Sequence, residues 1–261
     1  MNKALYRVNL VLQRQQRSFL SSNNVARKMV NMENVNPFIK TCKYEVRGEI
    51  YLASVERSKE GKEVIYTNVG NPQALGQKPL SYIRQVLSLM VAPFLLEQPE
   101  VLKSYPVDVI ERAKLYLSKI AGGVGAYQDS RGNAYIRSEI KDFIESQPNV
   151  TVQSVDNIFI TNGASESVRN ILTSIIRGPH DGVMVPIPQY PLYSAAIGLY
   201  NGTMVPYYLE ESSGWTLSQE ELEKSYKQSM ANGVKPRALV LINPGNPTGV
   251  SAWQYISSCL S

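Results

Sequence analysis

Residues 239–249 have the sequence LVLINPGNPTG, and this stretch decides the fold class. Its apolar beginning has no helical periodicity and is stopped by prolines and glycines. A short apolar run that ends in turn-forming residues predicts a buried strand of a parallel sheet leading into a loop. Ligands of open α/β sheets bind at the carboxyl ends of the strands. Asn246 and Thr248 are therefore candidate ligand-binding residues, although an ordinary strand-to-helix loop explains this stretch equally well.

The composition is typical of a globular protein. The 261 residues are 43% hydrophobic and 19% charged, which is enough for one or two domains with a sizeable core, and no apolar run is long enough to span a bilayer. Cys42 and Cys259 lie at opposite ends of the chain and indicate neither a disulfide framework nor a metal site, which suits a reducing compartment. His180 is the single histidine, and we interpret it as a solvated turn residue, so that no metal site is expected.

The positive charge is concentrated at the N-terminus. The net charge is +5, and residues 1–28 contain six basic residues and no acidic one, so the rest of the chain has a net charge of −1 (5 − 6). A nearly neutral body shows no nucleic-acid-binding footprint.

The first 28 residues resemble a mitochondrial transit peptide. At 100° per residue, four apolar side chains fall on one helical face (Leu5, Val8, Leu12 and Phe19) and four basic side chains fall opposite (Lys3, Arg7, Arg14 and Arg17), with Leu10 as the exception. This pattern predicts import into the mitochondrial matrix. A disordered basic tail is the alternative.

Helices and strands alternate in the body of the chain. Apolar periodicity predicts helices over residues 79–91, 107–120, 134–146, 166–177 and 217–230, and short apolar runs predict strands over residues 157–162, 183–188 and 203–209. Residues 36–50 and 64–70 are predicted to form an extended arm. This alternation indicates βαβ units and a mainly parallel sheet.

Two of the connections are candidate ligand sites. Residues 163–165, GAS, join a predicted strand to a helix, where unpaired N–H groups, the helix dipole and the Ser165 hydroxyl suit a phosphate. Ser165 is equally explained as the cap of its helix. Tyr190 follows the strand at 183–188 and is either a ligand platform or a packing residue. Residues 123–127, GVGAY, follow a helix rather than a strand, so we do not interpret them as a dinucleotide-binding loop.

Together and in this order, the strand–GAS–helix unit, PIPQYPLY at 186–193 and LINPGNPTG at 241–249 resemble pyridoxal-phosphate-dependent aminotransferases of fold type I. Residues 69–79 (VGNPQALGQKP), 186–195 (PIPQYPLYSA) and 205–209 (VPYYL) resemble the alanine aminotransferases in particular. The resemblance extends from about residue 36 to residue 249. It implies an α/β fold with three layers and a mainly parallel sheet, namely the large domain of this fold type, incomplete at its C-terminus.

The resemblance also implies roles for individual residues toward pyridoxal 5'-phosphate. Ala164 and Ser165 would hold the phosphate, and Tyr190 would stack on the pyridine ring. Asn246 would donate to the phenolate oxygen of the cofactor and help to hold the substrate carboxylate. The peptide bond between Asn246 and Pro247 is expected to be cis, as it is in the family.

Two further residues are implicated in the same way. Gly70 would lie beside the substrate, where a backbone without a Cβ leaves room. Tyr127 would reach the phosphate bound by the neighbouring subunit, which implies a homodimer. The implied domains are the transit peptide (1–28), the arm and first helix (29–105) and a partial cofactor-binding large domain (106–261).

The sequence departs from the family after the NPTG motif. There the family has its Schiff-base lysine, the aspartate that keeps the pyridine nitrogen protonated and the arginine that pairs with the substrate carboxylate. Residues 250–261, VSAWQYISSCLS, contain no lysine, aspartate or arginine. The Schiff-base lysine is thus absent from this sequence, and no catalytic residue is assigned. We expect a truncated product that lacks the small C-terminal domain and does not catalyse transamination alone.

Two functions follow as expectations. The first is that of an alanine aminotransferase, which moves an amino group between L-alanine and 2-oxoglutarate to give pyruvate and L-glutamate; glyoxylate and other small oxo acids remain open. The second is a non-catalytic fragment that at most dimerises with a full-length aminotransferase. In both, the ligands are small amino acids and oxo acids, and neither nucleic acid nor membrane is an expected partner.

Overall fold

A computed structural model describes residues 31–44, 48–66 and 70–251. The chain divides into two compact units, one ending at Cys42 and the other beginning at Lys43. The predicted transit peptide, residues 1–28, lies outside the described ranges. None of the helices within those ranges has the length and apolar character needed to cross a bilayer.

Helices replace much of the predicted extended arm. Helix α1 is Pro37–Thr41, and the side chain of Asn36 accepts a hydrogen bond from the N–H of Phe38 at its start. Helix α2 is Glu49–Lys59. The prediction for residues 36–50 was wrong because asparagine at the N-cap and proline at the first helical position start a helix without apolar periodicity. Residues 64–66 and 70 lie outside helices and strands, whereas 67–69 are not among the described residues.

A helical core precedes the sheet. It contains α3 (Ser81–Val91), a 3-10 turn (Pro93–Glu97), α4 (Pro99–Leu102) and α5 (Val107–Lys119). Its buried side chains are Val86, Leu89, Met90, Val109, Ala113 and Ile120. Helix α6, Ala134–Glu145, begins after Asn133, whose side chain accepts from the N–H groups of Tyr135 and Ile136. The helices predicted over 79–91, 107–120 and 134–146 are therefore confirmed.

Three parallel strands form the sheet. They are β1 (Asp181–Ile187), β2 (Thr203–Tyr208) and β3 (Lys235–Leu239), in the order β2-β1-β3. Helix α7 (Ala164–Ile175) precedes β1, α8 (Leu192–Leu199) connects β1 to β2, and α9 (Gln219–Ala231) connects β2 to β3. These are the βαβ units that the sequence predicts.

Helices cover both faces of the sheet. Because alternate residues of a strand face opposite sides, Val183 and Val185 of β1 pack on α7 and α8, whereas Met184 faces the other way. On that second face, α9 packs against β2 and β3. The predicted three-layer α/β architecture with a parallel sheet is confirmed.

One predicted strand is absent from the sheet, and one strand ends earlier than predicted. Residues 155–157 form a 3-10 turn, and residues 158–162 are not part of the sheet; there the N–H of Ile160 donates to the carbonyl of Arg131 at 2.8 Å. The predicted strand at 157–162 was therefore wrong, since apolar residues make a strand only where a neighbouring strand pairs with them. Strand β3 begins at Lys235 and ends at Leu239, so most of the apolar run 239–242 follows the strand.

Candidate functional site

The parallel sheet brings two of the predicted ligand loops to one edge. β1 and β2 pair in register up to Ile187 and Tyr208, so the chain leaves both strands at the same level. Beyond β3, the N–H of Val240 still donates to the carbonyl of Met184 at 2.9 Å, which keeps residues 240–242 beside the end of β1. The loop that contains Tyr190 and the loop that contains Asn246 therefore start at the carboxyl edge of one sheet, where α/β proteins bind ligands.

The Asn246 loop is closed by its own backbone. The N–H of Gly249 donates to the carbonyl of Gly245 at 2.7 Å, and the N–H of Gly245 donates to the carbonyl of Val250 at 2.8 Å. A Cβ on Gly245 would collide with the hydroxyl oxygen of Thr248, so a larger residue at this position would force the Thr248 side chain to move. Asn246 itself is exposed at the tip of this closed turn. Its amide is thus presented to solvent by a fixed backbone.

Both loops contain cis peptide bonds. The predicted cis bond Asn246–Pro247 is confirmed, and a second one lies at Asn243–Pro244 in the same loop. A third, Ile187–Pro188, lies where β1 runs into the Tyr190 loop. Residue order alone did not indicate these two additional bonds, because the X-Pro sequence permits either isomer.

Tyr190 is held by a tyrosine that the sequence did not reveal as part of the site. The hydroxyls of Tyr190 and Tyr44 are 2.7 Å apart, and the two rings meet edge to face with centroids 6.3 Å apart. This hydrogen bond to Tyr190 is the main reason why the pKa of Tyr44 is raised. The two residues are 146 positions apart in the sequence, so no local pattern could have paired them. Tyr190 is half-buried, which leaves part of its ring accessible.

A small cavity lies between the two loops. Its volume is about 30 Å³, and its lining includes Pro188 from the Tyr190 loop and Asn246 and Thr248 from the other loop, with Tyr207 of β2 between them. This volume corresponds to roughly one water molecule. The cavity shows that the two loops approach each other across the end of the sheet, although the Tyr190 side chain does not line it.

The GAS turn starts helix α7 with exposed backbone. Gly163 is the N-cap with φ +83°, a conformation that favours glycine, and Ala164 and Ser165 are the first two helical residues, both exposed. Ser165 is therefore not the helix cap, and that alternative is wrong. An exposed helix start with small residues can accept an anion.

Polar side chains brace the GAS turn from both sides. The hydroxyls of Thr161 and Ser167 are 2.5 Å apart, and the Glu166 carboxylate accepts from the N–H of Asn162 at 2.6 Å. The carboxylate is thus engaged with the backbone on the N-terminal side of the turn. These contacts fix the start of α7 without using Ser165.

A buried arginine ties the segment before this turn to the loop after Tyr127. Arg137 is 3% exposed and donates to the carbonyls of Gly132 at 3.1 Å and Val155 at 2.8 Å. Within the same loop, Arg131 forms two hydrogen bonds with Asp129 at 3.0 and 2.7 Å, and these bonds hold the pKa of Asp129 well below its usual range. Sequence reasoning missed this network because Arg137 donates to main-chain carbonyls, one of them 18 positions away in the sequence.

The cavity and the sheet edge do not include four of the candidate residues, namely Ala164 and Ser165 of the GAS turn, Tyr127 and Gly70. Tyr127 is fully exposed, and Gly70 is exposed with no heavy atom within 4 Å of the position that a Cβ would occupy. Within the ranges that the structure describes, the cavity and the sheet edge connect only the Asn246 and Tyr190 loops. The roles assigned to Tyr127 and Gly70 stay predictions.

Comparison with known proteins identifies the family. Residues 98–253 match the family model described as aminotransferase class I and II. The chain is 54% identical over 222 residues to glutamate–glyoxylate aminotransferase 2 of Arabidopsis thaliana, covering 85% of this chain and 46% of that protein. It is 44% identical over 236 residues to a probable mitochondrial alanine aminotransferase of Dictyostelium discoideum, covering 85% of this chain and 44% of that protein.

The fold comparison agrees with the family model. A single mutant of the aspartate aminotransferase of Thermus thermophilus superposes with a TM-score of 0.65 at 14% identity, covering 88% of this chain and 50% of that one. The fold is thus that of the aminotransferases, present here in part, and the chain spans about half the length of the curated relatives that it matches. The chain belongs to the aminotransferase class I and II family.

Proposed function

We propose that this chain provides the pyridoxal-phosphate-binding part of an aminotransferase acting on small amino acids and oxo acids. The proposed reaction moves the amino group between L-alanine and 2-oxoglutarate, giving pyruvate and L-glutamate, with glyoxylate as an alternative amino acceptor. The observation that carries this proposal is the 54% identity over 85% of the chain to a protein named glutamate–glyoxylate aminotransferase. The relative named alanine aminotransferase, at 44% identity, supports alanine as the amino donor.

The described residues offer groups that suit the phosphate, the pyridine ring and the phenolate oxygen of the cofactor. Ala164 and Ser165 offer exposed N–H groups and a hydroxyl to a phosphate at the start of α7. Tyr190 offers a half-buried ring for stacking, and its hydroxyl is oriented by Tyr44. The exposed amide of Asn246 is available to the phenolate oxygen and to a substrate carboxylate. When bound, the cofactor supplies the electron-withdrawing ring on which transamination depends.

The lysines of this sequence argue for non-covalent binding. The last lysine is Lys235, which is exposed at the beginning of β3, the end of the strand opposite to the ligand loops. We propose that the 261-residue polypeptide positions the cofactor through its phosphate and ring without forming a covalent bond to it.

A homodimer and a mitochondrial location complete the proposal. The fully exposed side chain of Tyr127 suits contact with the phosphate bound by a second subunit. Relatives named as mitochondrial, together with the basic, acid-free residues 1–28, support the mitochondrial matrix. The second candidate function is a non-catalytic subunit that pairs with a full-length aminotransferase, in which the fully exposed Tyr127 side chain would serve the site of the partner.

The test is a titration of the 261-residue chain with pyridoxal 5'-phosphate, followed by the cofactor absorbance. We expect saturable binding that inorganic phosphate weakens and that pyridoxal, which lacks the phosphate, does not reproduce. Ser165→Ala and Asn246→Ala should each weaken binding about tenfold, the effect of one lost charge-assisted hydrogen bond. Ser213→Ala, in the 3-10 turn Glu211–Ser213, is the control and should bind as the unmodified chain does.

Two results decide between the alternatives. Borohydride reduction should leave no stoichiometric attachment to a single lysine, and the chain alone should not convert L-alanine with 2-oxoglutarate or glyoxylate. Stoichiometric attachment to one lysine would overturn the non-covalent proposal. Absence of saturable, phosphate-dependent binding would overturn the cofactor assignment itself. Co-purification with a full-length aminotransferase, without any such binding, would support the non-catalytic subunit.

A further inference from the structure

Tyr207 connects the two outer strands of the sheet through a buried hydrogen bond. Its side chain is 1% exposed, and its hydroxyl donates to the carbonyl oxygen of Val240 at 2.6 Å. Tyr207 lies on β2 and Val240 directly follows β3, and the sheet order places β1 between these two strands. The hydrogen bond therefore spans the central strand on one face of the sheet.

The carbonyl that accepts this bond lies where the chain leaves regular structure. The N–H of Val240 donates to the carbonyl of Met184 in β1, which ties the β3 segment to its neighbour just before the loop begins. With the phenol on its carbonyl, both backbone polar groups of Val240 are held. The residues that follow, 241–249, form the loop that carries Asn246.

The same phenol contacts the space between the two ligand loops. The cavity of about 30 Å³ is lined by Tyr207 together with Pro188, Asn246 and Thr248. Tyr207 thus lines the same cavity as Pro188 of the Tyr190 loop and Asn246 of the other loop. Burial raises the pKa of Tyr207 further above neutrality, in keeping with a hydroxyl that donates its proton to a carbonyl.

We propose that Tyr207 is a positioning residue that sets the direction in which the Asn246 loop leaves β3, and thereby where Asn246 lies relative to Tyr190. This inference rests on the proposed function for its consequence, since the ligand role of Asn246 belongs to that proposal. Whether the Tyr207 hydroxyl holds the Asn246 loop in place can be tested without any ligand.

The first experiment is hydrogen–deuterium exchange of the full 261-residue chain, read by mass spectrometry. Tyr207→Phe removes only the hydroxyl. Tyr208→Phe is the matched control, because the next residue of the same strand has a largely exposed side chain at 58%. In Tyr207→Phe we expect peptides within residues 241–250 to exchange about tenfold faster, while peptides within β1 change less than twofold. Tyr208→Phe should change neither.

Two outcomes would overturn the proposal. One is unchanged exchange in residues 241–250. The other is a Tyr207→Phe chain that fails to fold while Tyr208→Phe folds, because the hydroxyl would then stabilise the whole sheet and not specifically the loop.

The second experiment links the loop to the cofactor. If the unmodified chain binds pyridoxal 5'-phosphate, Tyr207→Phe should weaken that binding at least threefold, whereas Tyr208→Phe should not; equal affinities in the two variants would overturn the link. If the unmodified chain does not bind the cofactor, the proposed function fails, and the exchange experiment still decides whether Tyr207 positions the loop.

Discussion

Replacing Arg137 by methionine should destabilise the protein more than any exposed arginine would. The guanidinium is 3% exposed and donates to the carbonyls of Gly132 at 3.1 Å and Val155 at 2.8 Å, with the Asp156 carboxylate at 3.3 Å. Methionine preserves the apolar stem and removes every donor. The two carbonyls then lose their partner in a place where water reaches them poorly.

The expected loss follows from these contacts. A buried polar group left without a partner costs about 1–3 kcal/mol. Gly132 and Val155 are half-buried rather than buried, so the lower part of that range applies to each. The carboxylate of Asp156 is 64% exposed and also pairs with Arg131, so it adds little. We therefore expect the free energy of unfolding to fall by about 2–3 kcal/mol.

Urea unfolding followed by circular dichroism measures this loss. Arg84→Met is the control, since Arg84 is exposed and donates only to the carbonyl of Leu80 in its own helical segment at 2.9 Å. Arg137→Lys should fall between the two, because an ammonium cannot reproduce the fork of the guanidinium. If the midpoint for Arg137→Met moved no further than that for Arg84→Met, the two carbonyls would not depend on Arg137 and the reasoning would be refuted.

Three further predictions concern the loops and the strand start. Gly245→Ala should lower the free energy of unfolding by about 1–3 kcal/mol in urea titrations, because its Cβ would collide with the neighbouring threonine hydroxyl; an unchanged midpoint would contradict the loop geometry. Tyr44→Phe should accelerate amide exchange around Tyr190 without changing the urea midpoint, because the bond it removes is largely exposed. The ion pair with Arg177 holds the pKa of Asp181 well below its usual range. The ion pair should therefore stabilise the folded protein fully above about pH 4 and lose this effect as the pH falls further. When the free energy of unfolding is measured against pH, Asp181→Asn should lack that part of the acid-induced decrease.

Periodicity predicted most of the elements that hold the site. The helix over 107–120 was found because apolar residues recur with helical spacing, and α5 buries Ala113 of that set in the helical core, although Val107 is 71% exposed and Val109 is buried instead. The parallel sheet followed from the alternation of strands and helices, which needs no knowledge of the partner strands. The cis bond at Asn246–Pro247 came from the family resemblance rather than from the residues, and it is confirmed.

The errors concern features that depend on neighbours distant in sequence. Residues 158–162 have the composition of a strand but lie outside the sheet. Ser165 has the residue type of a cap, yet Gly163 occupies that position because only glycine adopts its φ of +83° with ease. The partnership of Tyr44 with Tyr190 lay beyond any local pattern for the same reason. Residue type thus indicates which structures a residue can form, whereas contacts with residues distant in sequence decide which one it forms.

Tyr207 and Arg137 illustrate why the supports of a site are harder to predict than its ligands. Each is a long polar side chain, almost fully buried, that donates to main-chain carbonyls outside the α-helices and strands. Every residue has a main-chain carbonyl, so the sequence does not show which carbonyls accept a hydrogen bond from a distant side chain. Proposed ligand residues such as Asn246 are exposed and should be replaceable at little cost in stability. Paired measurements therefore separate the two classes: substituting a ligand residue should change cofactor affinity alone, whereas substituting a support should change stability or loop exchange first and affinity as a consequence.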